Sequence, residues 1–306
     1  MKAAYFEQHG GPEVIKYGDR PDPVAGPGDI LVDIAASTVN GADWRVREGS
    51  YAQMKLPHIM GRDFSGTVAA LGEGVTDFKV GDAVFGVLPA GQEGTYAEKV
   101  AVKAAVIAKK PPSLSDVDAA ALALTGLTAI SAIEDSLKLK GGETILITGG
   151  AGGVASFGIQ LAKHIGARVV TNTSAANMDY VRGLGADQVL DYNKEDFAKL
   201  GQVFDAVFDT VGGETAQKSF SVVKSGGRAA FIASGPQAPK SPRDDVASLR
   251  PAATRARAPL ERIVALHAAG AVKPPEVKLY KLSQAADAHR VSEGRHFRGK
   301  LVFQMK

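Results

Sequence analysis

The range 144–155 carries the clearest chemical signal in the chain, because a short apolar run leads directly into a glycine-rich turn. Gly150, Gly152 and Ala155 have the spacing of the G-x-G-x-x-G/A pattern. In that pattern the first glycine allows a tight turn, the second lets the backbone approach a pyrophosphate, and the small third residue lets a helix pack on the strand. We therefore predict a dinucleotide pyrophosphate site at the start of a helix over 154–165, formed by Gly150, Ala151, Gly152, Gly153 and Val154.

The residues after the next predicted strand decide which dinucleotide is expected. NAD-binding forms of this unit carry an acidic residue about 20 positions beyond the glycines, where it binds the ribose 2′-hydroxyl. The stretch 171–177, which includes Thr173 and Ser174, holds hydroxyl and amide side chains and no acid. Such groups hydrogen-bond a 2′-phosphate that a carboxylate would repel, so we predict NADPH rather than NADH. A polar loop at a strand end is the alternative explanation.

The elements around this turn indicate two kinds of domain. Up to about residue 122, short β-like runs are broken by glycine and proline, which is typical of a β-rich, barrel-like domain. From residue 116 the sequence becomes rich in alanine and leucine with helical spacing, and from residue 144 strands alternate with helices. This alternation predicts an α/β fold with a doubly wound parallel sheet, whose strands are 144–148, 168–171, 188–190, 206–209 and 228–232.

Composition excludes several classes of function. The chain has 306 residues, of which 45% are hydrophobic and 23% charged, as in a globular protein of about two domains. Its formal net charge is only +3, so neither nucleic acid nor a membrane is expected as a partner. It has no cysteine, and its six histidines are dispersed, so no metal site is predicted. No signal peptide or long apolar run is evident, which predicts a cytoplasmic location.

A cluster of arginines between residues 243 and 262 is the one local excess of positive charge. We expect it to belong to a solvated, partly irregular segment. In the alternative, one or two of these side chains contact the phosphates of a cofactor or a partner subunit.

Short motifs in a fixed order extend this picture over the whole chain. They occupy 39–43, 61–68, 81–84, 94–98, 127–129, 185–187 and 209–213. In their order and spacing the chain resembles the medium-chain dehydrogenase/reductase superfamily, in its zinc-free, NADPH-dependent quinone oxidoreductase branch. In the metal-dependent branch a cysteine and a Gly-His-Glu segment supply zinc ligands, and here Gly61-Arg62-Asp63 occupies the place of that segment.

The resemblance implies a domain organisation and an assembly. It gives a GroES-like β-barrel catalytic domain over 1–122, a Rossmann NADP-binding domain over 123–262 and a return to the catalytic domain over 263–306. It also implies a homodimer.

The resemblance further implies roles for individual residues. Asn40 and Tyr51 correspond to catalytic positions of the substrate pocket. The implied cofactor contacts are Thr128 at the nicotinamide side, Asn177 and Tyr192 beside the 2′-phosphate, Val211 after a strand, and Ser234, Gly235 and Arg298 around the nicotinamide and adenine ends.

With a quinone acceptor, hydride transfer gives a stabilised hydroquinone anion that needs no strong acid. We predict Tyr51 as a weak proton donor, although a half-buried aromatic residue lining the cleft is an equal alternative. The amide of Asn40 suits a carbonyl oxygen, and Asn40 could equally be a turn residue. Asp43 and Arg47 are predicted to form a structural pair.

Two other functions stay open at this point. The same hydride geometry reaches the activated C=C bond of an enone or 2-alkenal. A non-catalytic dinucleotide-binding protein, acting as a redox sensor or structural component, is the second alternative.

Overall fold

A computed structural model of the chain describes residues 1–50, 54–89 and 91–305. Tyr51, the predicted proton donor, lies outside these residues, so its role stays a prediction. The strands are β1 (Lys2–Phe6), β2 (Lys16–Asp19), β3 (Asp29–Thr38), β4 (His58–Ile59), β5 (Asp63–Leu71), β6 (Ala83–Val87), β7 (Lys99–Lys103), β8 (Ile107–Lys109), β9 (Thr144–Ile147), β10 (Arg168–Thr173), β11 (Gln188–Asp191), β12 (Phe204–Asp209), β13 (Val223–Phe231), β14 (Ala247–Leu249), β15 (Val277–Lys281) and β16 (Lys300–Gln304). The α-helices are α1 (Asp43–Glu48), α2 (Asp116–Ile130), α3 (Gly153–Ile165), α4 (Met178–Gly183), α5 (Gly213–Ser219), α6 (Arg257–Ala268) and α7 (Ala285–Gly294).

The chain divides into two compact units, and the second unit is built on the predicted parallel sheet. It comprises residues 125–254 and 266–273. Its strands pair in the order β11-β10-β9-β12-β13-β14, and every pairing is parallel. Ile145, Leu146 and Ile147 of β9 are all fully buried, as expected for a central strand covered on both faces. The predicted α/β fold with a doubly wound sheet is confirmed.

Strand β14 was not predicted, because it lies in a range rich in proline, serine and arginine. It pairs with β13 in parallel register and forms one edge of the sheet. Two arginines of this range bind backbone carbonyls: Arg243 donates to Val223 O at 2.6 Å, and Arg250 donates to Phe231 O at 2.7 Å. The expectation of a solvated segment is therefore wrong for these two side chains, since they satisfy carbonyl groups at both ends of β13.

The first unit contains the predicted β-rich domain. It comprises residues 1–124, 255–265 and 274–306. Its large sheet has the order β15-β16-β3-β5-β6-β8 with β7 also paired to β3, and a smaller sheet has the order β2-β1-β4. Ile30, Val32 and Ile34 alternate inward along β3 and are at most 2% exposed. Strand β3 is therefore buried on one face, and the predicted barrel-like pattern of short strands is found in this unit.

The boundary after the second unit differs from the predicted one. The chain returns to the first unit at Arg255 and again at Pro274, whereas a single return at residue 263 was expected. Arg255 donates to Leu88 O at 2.7 Å, and Arg257 donates to Asp77 Oδ2 at 2.7 Å. These bonds tie the residues around 255 to strands and loops of the first unit at the start of α6.

Helix α2 continues into a π-helical turn over Ser131–Ser136. The range Asp116–Ser136 has the length of a membrane span and a mean hydropathy of 1.4 over its most apolar window. Of that window 72% is buried inside the protein, a property that the core helix of a globular protein shares.

Candidate active site

The carboxyl ends of the parallel strands bring together most of the predicted cofactor residues. Strand β9 is the switch point of the sheet, because the chain continues from it to β10 and β11 on one side and then crosses to β12 on the other. Ligands of open α/β sheets bind beyond the carboxyl ends of the strands at such a point. At these ends lie the turn 150–154 after β9, Thr173 and Ser174 at β10, Tyr192 after β11, Val211 after β12, and Ser234 and Gly235 after β13.

The tight turn after β9 spans Gly149 to Gly152, because the Gly152 N–H donates to Gly149 O at 2.9 Å, and Gly150 lies at its centre as predicted. Gly149 has a φ of +71°, in the left-handed region that favours glycine, and Gly150 does not have a positive φ. A Cβ on Gly150 would clash with Thr171 Oγ1. Gly150 therefore lies in the predicted turn and lets it pack closely against β10, while the left-handed conformation falls on Gly149.

Gly152 and the first turn of α3 provide donors and space for an anion. Gly152 is the N-cap residue, and no side chain caps the helix. A Cβ on Gly152 would make only an ordinary 3.4 Å contact with Gly149 O, so protein packing does not require glycine there. The first backbone N–H groups of a helix have no intrahelical acceptor, and the dipole places partial positive charge at them. This start of α3 is therefore suited to a phosphate.

Three side chains that the sequence analysis did not single out hold this turn in position. The Oδ1 atom of Asn172 accepts a hydrogen bond from the Gly149 N–H at 2.9 Å. Thr148 Oγ1 donates to Asp209 Oδ1 at 2.7 Å, and Asp209 Oδ2 accepts from the Gly212 N–H at 2.8 Å. Asp209 is fully buried, and this burial raises the pKa of its carboxyl. Together these bonds fix the loops after β9 and β12.

The residues predicted beside the 2′-phosphate are polar and close to the ends of β10 and β11. Asn177 Nδ2 donates to Ser174 Oγ at 3.1 Å. Thr173 is buried at the end of β10, and Tyr192 is 48% exposed after β11. Hydroxyl and amide groups therefore stand where the predicted chemistry needs them, and their contact with a cofactor stays a prediction.

Ser234 has a buried hydroxyl without a hydrogen-bond partner among the residues that the structure describes. It lies next to Gly235, whose φ is +90°, after β13. Ser234 lines an open groove of about 480 Å³, together with Gly213, Ala216, Gln217 and residues 236–239. An unsatisfied buried hydroxyl is unusual in proteins, so a ligand group is a natural partner for Ser234.

Two further predicted cofactor residues lie away from these strand ends in the sequence. Thr128 belongs to α2 and is half-buried in the second unit. Arg298 belongs to the first unit, where its guanidinium forms an ion pair with Glu276 at 3.0 Å. Their cofactor roles stay predictions.

In the first unit, the side-chain amide of Asn40 is held from both ends. Its Oδ1 atom accepts a hydrogen bond from Lys300 Nζ at 2.8 Å. Its Nδ2 atom donates to Asp63 Oδ1 at 3.2 Å and to Thr38 O at 3.3 Å. These contacts fix the orientation of the amide and already occupy both of its hydrogens. Its predicted contact with a substrate carbonyl would therefore compete with these two long bonds.

Lys300 and Asp63 are themselves buried ionisable groups. Burial lowers the pKa of Lys300, and the neighbouring Asp63 carboxylate opposes this effect. Burial likewise raises the pKa of Asp63, and Lys300 and the hydroxyl of Thr38 oppose it. Each group therefore favours the charged form of the other beside Asn40, while burial opposes both charges.

A second buried polar cluster contains Asp43, Arg62 and Glu93. Arg62 donates from Nε and Nη2 to Glu93 Oε1 at 2.9 and 2.8 Å, and its Nε lies 3.5 Å from Asp43 Oδ1. Tyr96 donates its hydroxyl to Asp43 Oδ2 at 2.8 Å. Burial raises the pKa of Asp43 to about 7, with Arg62 opposing the shift. The predicted pair of Asp43 with Arg47 is therefore wrong, because Asp43 points to Arg62.

Arg47 instead joins α1 to α7. It is fully buried, and its guanidinium contacts His289 Nδ1 at 2.9 Å and the carboxylate of Glu293. Asp43 and Arg47 lie one helical turn apart in α1, and this spacing is typical of an ion pair on a helix. The packing of α7 against α1 gives Arg47 other partners instead.

The described residues of the first unit show no cluster of metal ligands. Within residues 1–50, 54–89 and 91–305, no group of three or more His, Cys, Asp or Glu side chains could hold a metal. At the place implied for a zinc-binding segment, the Arg62 guanidinium already neutralises Glu93. A fixed cation therefore stands among the carboxylates, and a guanidinium has no lone pair for a metal.

Comparisons with known proteins match both units. Residues 26–112 match the alcohol dehydrogenase GroES-like domain family, and residues 184–303 match the zinc-binding dehydrogenase family.

Two relatives show how far the similarity extends along the chain. The chain is 36% identical to 2-methylene-furan-3-one reductase of Solanum lycopersicum over 241 residues, which cover 74% of this chain and 61% of that protein. It is 31% identical to the chloroplastic NADPH-dependent alkenal/one oxidoreductase of Arabidopsis thaliana over 316 residues, which cover 99% of this chain and 79% of that protein.

Solved structures resemble the whole chain. The quinone oxidoreductase from Coxiella burnetii has a TM-score of 0.93 and 32% identity, over 100% of this chain and 99% of that one. The Escherichia coli quinone oxidoreductase complexed with NADPH has a TM-score of 0.91 and 26% identity, over 100% of both chains.

Proposed function

Because the chain belongs to the medium-chain dehydrogenase/reductase superfamily, together with quinone oxidoreductases, we propose that it is an NADPH-dependent oxidoreductase that reduces quinones without zinc. The observation that carries the proposal is the turn after β9. This turn lies at the switch point of the sheet. Gly149 adopts a left-handed backbone conformation, the space beside Gly152 is not filled by close protein contacts, and no side chain caps the start of α3. The type of acceptor is inferred from the names of the relatives.

The residues of the second unit fit NADPH. Backbone N–H groups at the start of α3 hold the pyrophosphate, and Ser174 and Asn177 donate to the 2′-phosphate. The unpartnered hydroxyl of Ser234 binds a polar group of the cofactor. Bound NADPH supplies a hydride to the acceptor. No acidic side chain lies between residues 171 and 177, which supports NADPH over NADH.

The residues of the first unit orient the acceptor and stabilise its charge. Lys300 and Asp63 hold the amide of Asn40 in one orientation, in which its Nδ2 group donates to the acceptor carbonyl in competition with its two long bonds. A quinone that gains a hydride becomes a hydroquinone anion, which a weak donor or solvent can protonate. Tyr51 is the donor that we propose.

Zinc independence is supported by the chemistry of the first unit. Arg62 holds a positive charge where the metal-dependent branch has a ligand, and Glu93 accepts two of its hydrogen bonds. The cofactor supplies the hydride chemistry. The protein then increases the reaction rate mainly by orienting the acceptor and by excluding water.

Reduction of an activated alkene is the second candidate function. It is favoured by two relatives of this chain, one named 2-methylene-furan-3-one reductase and the other NADPH-dependent alkenal/one oxidoreductase. We propose that the same site accommodates an enone. The two reactions differ in the protonation step, because the enolate formed from an enone is protonated at carbon, whereas the hydroquinone anion is protonated at oxygen.

The assembly and the location are also proposals. The homodimer is supported by β14, which forms one edge of the sheet and leaves backbone groups for pairing on its outer side. The cytoplasm is supported by the composition of the chain.

Consumption of NADPH by the purified protein tests the proposed function. Reactions with 1,4-benzoquinone and with 2-cyclohexen-1-one are compared at equal concentrations, and the rate without protein is subtracted. We expect enzyme-dependent turnover with the quinone. Turnover confined to the enone would transfer the assignment to alkene reduction. Tight NADPH binding without turnover of either acceptor would favour a non-catalytic binding protein.

A further inference from the structure

Two guanidinium groups of the first unit converge on one indole ring. The Cζ atom of Arg45 lies 5.3 Å from the centre of the Trp44 ring, and that of Arg295 lies 5.6 Å from it. Trp44 and Arg45 are half-buried in α1, and Arg295 is exposed directly after α7. We call Trp44, Arg45 and Arg295 the Trp44 cluster.

Neither arginine of the Trp44 cluster has an acidic partner among the residues that the structure describes. Among the residues that the structure describes, no carboxylate forms an ion pair with Arg45 or Arg295, while nearby Arg47 is paired with Glu293 and Arg290 with Asp287. Two like charges beside one ring repel each other, and attraction to the ring offsets only part of this repulsion. A bound anion would offset these charges.

The backbone at Arg295 is also unusual. Arg295 has a φ of +54°, and in the described part of the chain the other non-glycine residue with a positive φ is Lys138. Glycine is the common residue at this position after a helix, because it adopts the left-handed conformation without strain. An arginine that keeps this strained conformation indicates a role for its side chain.

The Trp44 cluster is held on a rigid base. Buried Arg47 links α1 to α7 through His289 and Glu293, and its Nε also donates to Gly10 O at 2.9 Å. The two helices that carry the cluster are therefore fixed relative to each other. The start of α1 is close to the candidate site, because the Asn40 N–H donates to Asp43 Oδ2 at 2.9 Å.

From this geometry we propose that the Trp44 cluster binds an anionic group of the acceptor, such as a sulfonate, carboxylate or phosphate. The inference rests on the proposed function, since it names the class of acceptor that the same site prefers. Guanidinium groups bind such anions through two parallel hydrogen bonds, and the indole supplies a flat apolar surface beside them. The preferred acceptor is therefore a quinone or enone with a negatively charged substituent.

Steady-state kinetics with a matched pair of acceptors test the preference. The acceptors are 1,4-naphthoquinone-2-sulfonate and neutral 1,4-naphthoquinone, and the variants are Arg45→Gln and Arg295→Gly. Each variant is expected to raise KM for the sulfonate by about three- to tenfold, the range of an exposed to partly buried charge pair, and to leave KM for the neutral quinone unchanged. Lys138→Gly is the matched control, because it relieves the same kind of strain in the second unit.

The melting temperature separates this role from a structural one. Arg295→Gly removes a strained conformation, so its melting temperature should not fall while its KM for the sulfonate rises. An equal change in KM for both acceptors, or no change for either, would overturn the proposal. A rise in the Kd for NADPH that accounts for the change would also overturn it, since the anion would then belong to the cofactor.

A binding measurement keeps the inference independent of catalysis. Trp44 is the only tryptophan in the chain, so its fluorescence reports on the cluster directly. Methanesulfonate should change this fluorescence saturably at constant ionic strength in the unaltered protein and not in Arg45→Gln. If the protein turned over no acceptor but kept this response, the proposed function would fail and the anion site would stand. Absence of a saturable response would contradict the site itself.

Discussion

His289 is the residue that most directly links acidity to the stability of the first unit. It is fully buried against Arg47, and its Nε2 atom has no hydrogen-bond partner among the described residues. Burial, reinforced by the Arg47 charge, lowers its pKa from 6.5 to about 3. Folding therefore keeps His289 neutral, while the unfolded chain binds a proton there below about pH 6.5.

We expect the stability that depends on neutral His289 to be lost as the pH falls below about 6.5. The unfolded state then binds more protons than the folded state, so the free energy of unfolding decreases by at most about 1.4 kcal/mol per pH unit until about pH 3. His289→Gln keeps an acceptor for Arg47 and does not titrate. Urea unfolding of both proteins at pH 7.5, 6 and 5 measures the difference between them.

The comparison with His289→Gln is needed because other buried groups act in the opposite direction. Burial raises the pKa of Asp43 to about 7 and also raises the pKa of Asp63, so these carboxyls favour the folded state on acidification. They are present in both proteins and cancel in the difference. A difference in unfolding free energy that stays constant from pH 7.5 to 5 would contradict the assignment of this effect to His289.

At the scale of elements, the turn between β9 and α3 separates residues that serve the fold from residues that serve binding. A Cβ on Gly149 would lie 2.9 Å from Val211 Cγ2, and the φ of Gly149 is +71°. Gly152 has a φ of −75°, and a Cβ added there would meet only Gly149 O, at 3.4 Å. The fold therefore requires the first glycine and does not require the second.

This difference predicts opposite effects of two alanine substitutions. Gly152→Ala should leave the melting temperature unchanged and raise the Kd for NADPH by at least about tenfold, because the methyl group occupies the approach of the pyrophosphate. Gly149→Ala should destabilise the second unit by about 1 to 3 kcal/mol through backbone strain and contact with Val211. Thermal unfolding and fluorescence titration with NADPH measure the two properties separately.

Either of two results would count against this division of roles. Gly152→Ala with unchanged NADPH affinity would mean that the pyrophosphate does not approach this residue. A large loss of stability in Gly152→Ala would mean that Gly152 serves the fold after all.

The elements of the second unit could be predicted because apolar periodicity and glycine turns are local signals. The helix predicted from Val154 begins at Gly153, and the strand predicted over 168–171 extends to Thr173. Strand β14 escaped prediction because its three residues are only partly apolar and their pairing with β13 is a long-range property. Local sequence patterns therefore predicted the central strands of the sheet but not the edge strand β14.

The candidate site was predictable only in part for the same reason. The glycine spacing indicated the pyrophosphate turn, but Asn172 acts on it through a contact with Gly149 that spans 23 residues. Lys300 reaches Asn40 across 260 residues, and no spacing in the sequence predicts that contact. Asp209 was part of a recognised motif, and its role became clear only through Thr148.

At the scale of the whole molecule, the chain distributes its chemistry between two units. The second unit presents the dinucleotide turn, and the first unit contributes Asn40 with its buried supports. The sequence indicated both units, but the double return of the chain after residue 254 depends on Arg255 and Arg257 bonding to the first unit. We propose that the residues of both units together carry out NADPH-dependent reduction without a metal.

The most direct measurement is NADPH consumption with 1,4-benzoquinone by protein that has been dialysed exhaustively against a strong zinc chelator. Its zinc content is determined on the same sample by mass spectrometry. The account predicts the same turnover before and after dialysis, in protein that contains no zinc, because the described residues of the first unit, with Arg62 bound to Glu93, offer no metal site. Turnover that disappears on chelation and returns with added zinc would contradict it.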